Sequence, residues 1–451
     1  MVTAARDVSG HSRPEGDERR WARYLQVLLL LLPIFATFAY IHSFAVEVPM
    51  WDDWDLFVPH FHNLATGDLH WSDINAQHNE YIVAVPLLVS LASAKLTGGR
   101  LLAVTYLSYA FLCGSFGLLF LLFRMLRLPG AWSDLWFLPA GVLFLGWRQA
   151  DSLLWSTHVV NTMTLFFILA TLYCCTKFSS APVWFGAAIL FAWLASFSMA
   201  SGLLVWFPGG LALAASTGLR FDQRARATAW WLVMGVACWL CFFLDVAPHP
   251  VPWPTGLSFV LSHPLEGAQY ALVYVGGSLG ATSLQALYLG FVFACLALLV
   301  LVLAVRYRGT TQETLPGLLI FGYVAMVIPP LLSSRLGLGV GQAFSNRYVT
   351  VSAVAPIGIY LGSLALASSI PTCRYLRLAM LLLLAFGVFN SYRTGLVDGR
   401  LENLKRTACA AAVKNFRNVD RSSLACGYPD PGVVLERAPW LERYHQSLFA
   451  Y

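Results

Sequence analysis

The sequence predicts an all-α, polytopic helical membrane protein with about 11 transmembrane helices. Three observations carry that expectation. The chain of 451 residues is 58% hydrophobic and only 12% charged, with a mean hydropathy of +0.65, whereas soluble chains carry about a quarter charged residues. Apolar runs recur almost to the C-terminus, each of roughly 20 residues and long enough to cross a hydrocarbon layer of about 30 Å as a helix. The basic residues behind the formal charge of +6 lie in short clusters between those runs. There they orient helices, and no nucleic-acid partner is implied.

The elements follow in chain order. Arg6, Arg13, Arg19, Arg20 and Arg23 precede the run from Tyr24 to Phe44. That run is too long for a signal peptide and lacks a small-residue cleavage site, so it reads as an uncleaved first span behind a cytoplasmic segment 1–23. Further spans are expected over 101–123, 132–146, 158–175, 182–199, 203–217, 228–247, 286–305, 315–333, 348–368 and 376–392. Two more apolar stretches, 81–97 and 257–280, are ambiguous. The first contains Pro86 and Lys95 and reads as a helix lying at the membrane surface. If it does not cross, most Lys and Arg fall on the cytoplasmic side, which the positive-inside rule prefers. The organisation is then a segment 1–23, a transmembrane body 24–392 with a first outer loop 45–100, and an extracytoplasmic tail 393–451, read as a small helical appendage. Of nine cysteines, Cys113, Cys174, Cys175, Cys238, Cys241, Cys295 and Cys373 lie in or beside apolar runs and act as small hydrophobes. Cys409 and Cys426 in the tail are either bridged or free.

The first outer loop carries the strongest chemical signal. Residues 45–81 contain Glu47, Asp52, Asp53, Asp55, Asp68, Asp73 and Glu80, and no Lys or Arg. Within them stands Trp51-Asp52-Asp53-Trp54-Asp55. Carboxylates so close repel one another, which raises the pKa of at least one and makes it a candidate general base; the alternative is a solvated turn whose tryptophans anchor the first helix. Next comes Gln77-His78-Asn79-Glu80-Tyr81, at the expected start of the surface helix. His78, Asn79 and Glu80 supply groups able to position sugar hydroxyls, or they cap the helix. His60, His62 and His70, with the aspartates, leave a divalent metal possible without naming one.

Two later segments add charge. In Trp147-Arg148-Gln149-Ala150-Asp151, Asp151 is a second carboxylate candidate and Arg148 an anion contact, or the two form an i, i+3 ion pair. Asn161 is expected to bond between helices away from any ligand. In the segment from Ser333 to Tyr348, Gly337, Gly339 and Gly341 lack the βαβ setting of a dinucleotide site. They permit close backbone approach instead, while Arg335 and Arg347, with Tyr348 alongside, are suited to grip the phosphate of a lipid; the alternative is a flexible loop whose arginines snorkel to headgroups.

This order of elements resembles the GT-C superfamily of integral-membrane glycosyltransferases over roughly residues 24–160, and more loosely over 333–348 and the tail. The resemblance implies an acidic first-loop motif, surface helices after it, and an outward active site fed by a polyprenyl-phosphate sugar. It places Asp53, Asp52 and Asp151 in catalytic roles, with Asp53 as base, and Asp55, His78, Asn79, Glu80, Arg148, Arg335, Arg347 and Tyr348 in substrate binding. The sequence departs from the superfamily in lacking the Asp-Glu form and the Lys-Pro-Pro signature; WDDWD and QHNEY stand in this chain, so donor and acceptor do not carry over. The implied activity is sugar transfer to an extracytoplasmic glycan, lipid or protein in a bacterial inner membrane, with no certain cofactor. A lipid-linked saccharide transporter or flippase is the competing reading. Concentration of polar groups in outer loops rather than in spans favours the enzyme.

Overall fold

The computed structural model describes residues 15–79, 81–244, 246–247, 251–307 and 311–450. Eleven helical segments among the described residues build a bundle with two ends: α1 (Glu15–Phe44), α2 (Leu101–Arg124), α3 (Leu138–Phe144), α4 (Val159–Lys177), α5 (Val183–Ser196), α6 (Trp206–Ala214), α7 (Phe221–Phe243), α8 (Ser283–Arg306), α9 (Thr311–Arg335), α10 (Val354–Ser369) and α11 (Arg374–Lys414). Contacts between the connections place the ends. At one end, Arg124 pairs with Asp134 at 3.0 Å, joining the exit of α2 to the approach of α3. At the other, Glu47 accepts from Leu101 N and Leu102 N. The same end gathers the bond from Val85 N to Phe197 O, that from Gly256 N to Ser333 O and that from Ala247 N to Gln77 Oε1.

Eight helices among the described residues are long and apolar enough to cross a membrane. The expected spans 132–146, 182–199 and 203–217 instead appear as the short helices α3, α5 and α6 with 3-10 lead-ins. At 1.5 Å per residue none reaches about 30 Å. For α5 and α6 the shortfall lies at the first-loop end, where the chain unwinds over 197–205, and beyond α3 the chain is likewise broken into short 3-10 and α-helical turns over 145–158. Irregular backbone at membrane depth is tolerated only where protein buries it or a cavity receives it. Gly202 shows how tight the return is, since a Cβ there would lie 1.9 Å from Ala195 O. α4 and α10 run through the centre and are buried nearly all round, which explains why neither shows a polar face.

Helix Ala84–Thr97 does not cross. The residues before it lie beside the first loop, and Gly99 O just beyond it accepts from Ser447 N of the tail. The stretch 257–280 is broken into Leu257–Ser262 and Pro264–Gly276 and likewise begins and ends at the first-loop end. The segment at 77–82 is not a helix start: Gln77–His78 and Tyr81–Ile82 form a two-stranded antiparallel hairpin, with Asn79 in the left-handed region at φ 51°.

The tail is helical and packs on the first loop. α11 is 41 residues long, about 60 Å, and carries the chain well past the bundle. Cys409 and Cys426 are disulfide-bonded. Val413, Phe416, Leu424, Val434, Ala438 and Leu441 then close a small core around Trp54 and Val58 of the first loop. The two segments therefore share one face of the membrane.

Candidate functional site

The segment 51–55 owes its geometry to a helix of only five residues, Asp52–Leu56. Successive side chains on a helix diverge by about 100°, so Asp53 turns away from Asp52, whereas Asp55, three positions on, returns to the same side as Asp52 and is drawn off by its bonds to the tail. Trp51 sets the entry with φ 44°, a conformation a bulky residue rarely adopts. The tail holds it there through the bond from Trp51 N to Gly427 O at 2.7 Å.

Asp52 lines a crevice of about 430 Å³. His78, Arg335, Arg347 and Tyr348 line the same crevice, so the early acidic loop and the late arginine loop converge. Burial pushes the Asp52 carboxyl above its usual range; His78, Arg347 and Arg335 oppose that rise and Asp55 adds to it. Among the described residues Arg347 makes no ion pair, and its buried Nε has no acceptor. Arg335 lies 5.5 Å from the Trp253 ring. Leu203, Leu204, Trp239, Phe243, Val327 and Leu331 form the apolar part of the lining. Trp239 and Phe243 also border a groove between α6 and α7 on the apolar exterior.

Asp53, the expected base, is fully buried and does not line the crevice. Its carboxylate accepts from Met50 N at 3.0 Å, Trp155 Nε1 at 3.0 Å, Ser156 Oγ at 2.6 Å and Thr157 Oγ1. Burial raises its pKa to about 6, against the pull of those bonds. Its lone pairs are occupied, and its geometric effect is to join the first loop to residues 155–157, directly ahead of α4. Asp55 also turns from the crevice: it accepts from Tyr428 Oη at 2.7 Å and Arg437 Nη1 at 2.8 Å, binding the tail.

The remaining expectations divide. Asn79 stays on the hairpin, its Nδ2 3.2 Å from His78 Nε2, and supports the crevice histidine rather than lining the crevice. Glu80 lies outside the described residues. Asp151 does not line the crevice; burial raises its pKa, and it feels Arg406, Arg347 and Arg148 electrostatically. Arg148 is buried beneath the late loop, donating from Nη2 to Phe344 O at 2.8 Å, and is bordered by a different cavity. Gly395 lets α11 pack directly against Trp147, because a Cβ there would lie 2.3 Å from the Trp147 backbone. Its i, i+3 pairing with Asp151 is not formed; the nearest carboxylate to Arg148 is Asp398, at 3.9 Å.

His60 and His62 of the first loop are engaged elsewhere. His60 sits between Leu56 O and Asp73 O, and His62 stacks on Trp440 with centroids 4.6 Å apart. Among the described residues no group of three His, Cys, Asp or Glu side chains is arranged to hold a metal ion.

Sequence reasoning passed over His158 and did not place Asn161 at the crevice. Both line the crevice, joined by an Asn161 Nδ2 to His158 Nδ1 contact of 2.7 Å. Trp155, Thr157 and Ser201 line it as well. The available signal was the i, i+3 spacing of His158 and Asn161 at the start of an otherwise apolar span. Polar side chains at such depth usually face a cavity.

No protein-family model and no curated protein sequence matches this chain. Among solved structures it is similar to ArnT from Cupriavidus metallidurans. The apo form aligns with TM-score 0.47 and 12% identity over 94% of this chain and 89% of that one. The form bound to undecaprenyl phosphate aligns with TM-score 0.42 and 12% identity over 93% and 88%.

Proposed function

We propose that this protein is a membrane glycosyltransferase of GT-C type, moving a sugar from a polyprenyl-phosphate donor to an extracytoplasmic glycan, lipid or protein acceptor. What carries the reading is the juxtaposition of Asp52 with Arg335 and Arg347 in one crevice that is lined by both polar and apolar side chains. The acceptor hydroxyl attacks the anomeric carbon, Asp52 takes its proton, and the bond from that carbon to the phosphate oxygen breaks. The departing polyprenyl phosphate gains negative charge at its freed oxygen, which the guanidiniums stabilise in a partly dehydrated site. A carboxylate raised by burial is a stronger base than one in water, provided it stays ionised at the working pH. His78, His158 and Asn161 supply hydrogen bonds for sugar hydroxyls, and the apolar wall receives the first isoprene units.

The disulfide in the tail supports an oxidising, extracytoplasmic location for the crevice end, as expected for a bacterial inner-membrane protein with its N-terminus inside. The test uses the full chain in lipid nanodiscs with a panel of polyprenyl-phosphate sugars and envelope acceptors, products being read by mass spectrometry. The expected result is covalent sugar transfer that Asp52→Asn abolishes. Movement of labelled lipid across the bilayer without a covalent product overturns the proposal in favour of a flippase.

A further inference from the structure

A second cavity, of about 590 Å³, opens at the crevice end of the bundle. The late loop separates the two: Phe344 and Asn346 border the second cavity, whereas Arg347 and Tyr348 border the crevice. Arg148, Arg393 and Asp398 complete the charged lining, beside Thr282 and Gln285 at the start of α8. None of these side chains takes part in the proposed transfer.

Three features converge on this space. Arg148 is 3% exposed, and although its Nη2 bonds Phe344 O, its Nη1 has no hydrogen-bond acceptor. Asp398 Oδ2, at 3.9 Å, is too far to supply one. A buried guanidinium N–H without an acceptor is costly, so an oxygen ligand entering here relieves a real deficit. Arg393 is exposed on α11 at the C-terminal limit of its apolar run and has no ion pair among the described residues. The 24-residue helix α8 also directs its positive end toward the cavity. Two guanidiniums against one carboxylate leave an excess of positive charge.

We infer that this cavity binds a second phosphate group, distinct from any held in the crevice. Leu284, Tyr288 and Val397 are exposed on the flanking helices, which suits a phosphate carried by a bilayer phospholipid; a free phosphate ion would satisfy the same groups. An anion bonded to Arg148 and Asn346 fixes the backbone next to Arg347, so occupancy is transmitted to the crevice through one peptide. The inference does not rest on glycosyl transfer.

The experiment is native mass spectrometry of the full-length protein, titrated with dioleoylphosphatidylglycerol, with the matching diacylglycerol, and with inorganic phosphate. The expected result is a phosphatidylglycerol site that Arg393→Gln weakens about tenfold, as for loss of one charge-assisted contact, and that Asp398→Asn tightens. Arg347→Gln leaves this site in place, so failure at the crevice and failure here are separable. Displacement of the lipid by millimolar inorganic phosphate supports recognition of the phosphate itself. Inorganic phosphate binding that depends on Arg393 without lipid retention supports the site with a free ion as its source. Equal retention of diacylglycerol, or Arg393→Gln and Asp398→Asn variants that both bind as the wild type, overturns the inference.

Discussion

Residues 51–55 and 335–348 solve opposite geometric problems. In the first, three carboxylates within four residues are dispersed: Asp52 to the crevice, Asp53 into the junction with residues 155–157, Asp55 onto the tail. In the second, two arginines twelve positions apart converge on one crevice through a succession of 3-10 turns. A cluster of like charge in sequence is therefore not a cluster in space. A five-residue helix turns its neighbours apart, whereas a folded loop can reunite distant ones.

The sharpest break of this comparison is at Asp52. Asp52→Asn is expected to lower turnover about 10²- to 10⁴-fold, the usual range for loss of a general base, with little change in thermal stability, because its carboxylate faces the crevice. Turnover within a few-fold of the wild type would remove Asp52 as the base.

Next in size, Arg347→Gln is expected to cost about 10²-fold in kcat/KM through loss of charge stabilisation. It also has a signed pH consequence. Activity rises with pH as Asp52 ionises, and Arg347 favours that ionisation. Removing the cation therefore moves the acid limb of the pH profile to higher pH. A limb that stays in place separates Arg347 from Asp52 electrostatically.

Asp53→Asn tests the dispersed arrangement itself. An amide must turn N–H groups toward donors that now face a carboxylate, which is expected to destabilise the loop junction by about 1–3 kcal/mol and to reduce turnover less than Asp52→Asn does. The pH dependence follows from the sign of the shift. With a folded pKa of about 6, above the unfolded carboxylate value, the folded state binds the extra proton. This contribution to stability is thus present at low pH and lost as pH rises from about 4 to 6. Thermal melting across that window checks it, with the slope flattened in Asp53→Asn.

The smallest effect belongs to Asp55→Asn, which weakens the pair with Arg437. About 1 kcal/mol of tail docking is expected to be lost, visible as faster hydrogen exchange in Pro431–Arg443 with turnover nearly intact.

Much of the architecture was legible because hydropathy and charge act locally. The apolar runs marked the eight long helices but not the shortness of α3, α5 and α6, and the lack of Lys or Arg between Glu47 and Tyr81 marked the loop that faces the site. The hairpin at 77–82 was not legible: its strands are two residues each and are held by pairing across a turn at Asn79. Within the site, Asp52, His78, Arg335, Arg347 and Tyr348 were named from sequence and meet at the crevice. His158 passed unseen because its i, i+3 spacing with Asn161 marks a shared helix face but not which neighbours that face meets.

Composition alone determined that this chain fills a bilayer, since so few charges on so many apolar residues leave water no surface to solvate. It also determined which loops carry opposite charge. The tertiary structure decided which carboxylate is available, because availability depends on hydrogen-bond partners about a hundred residues away at Trp155, Ser156 and Thr157. It likewise assigned Arg148 to a second cavity and Arg347 to the crevice. Side-chain direction and burial are properties of packed neighbours, and no local stretch of sequence contains them.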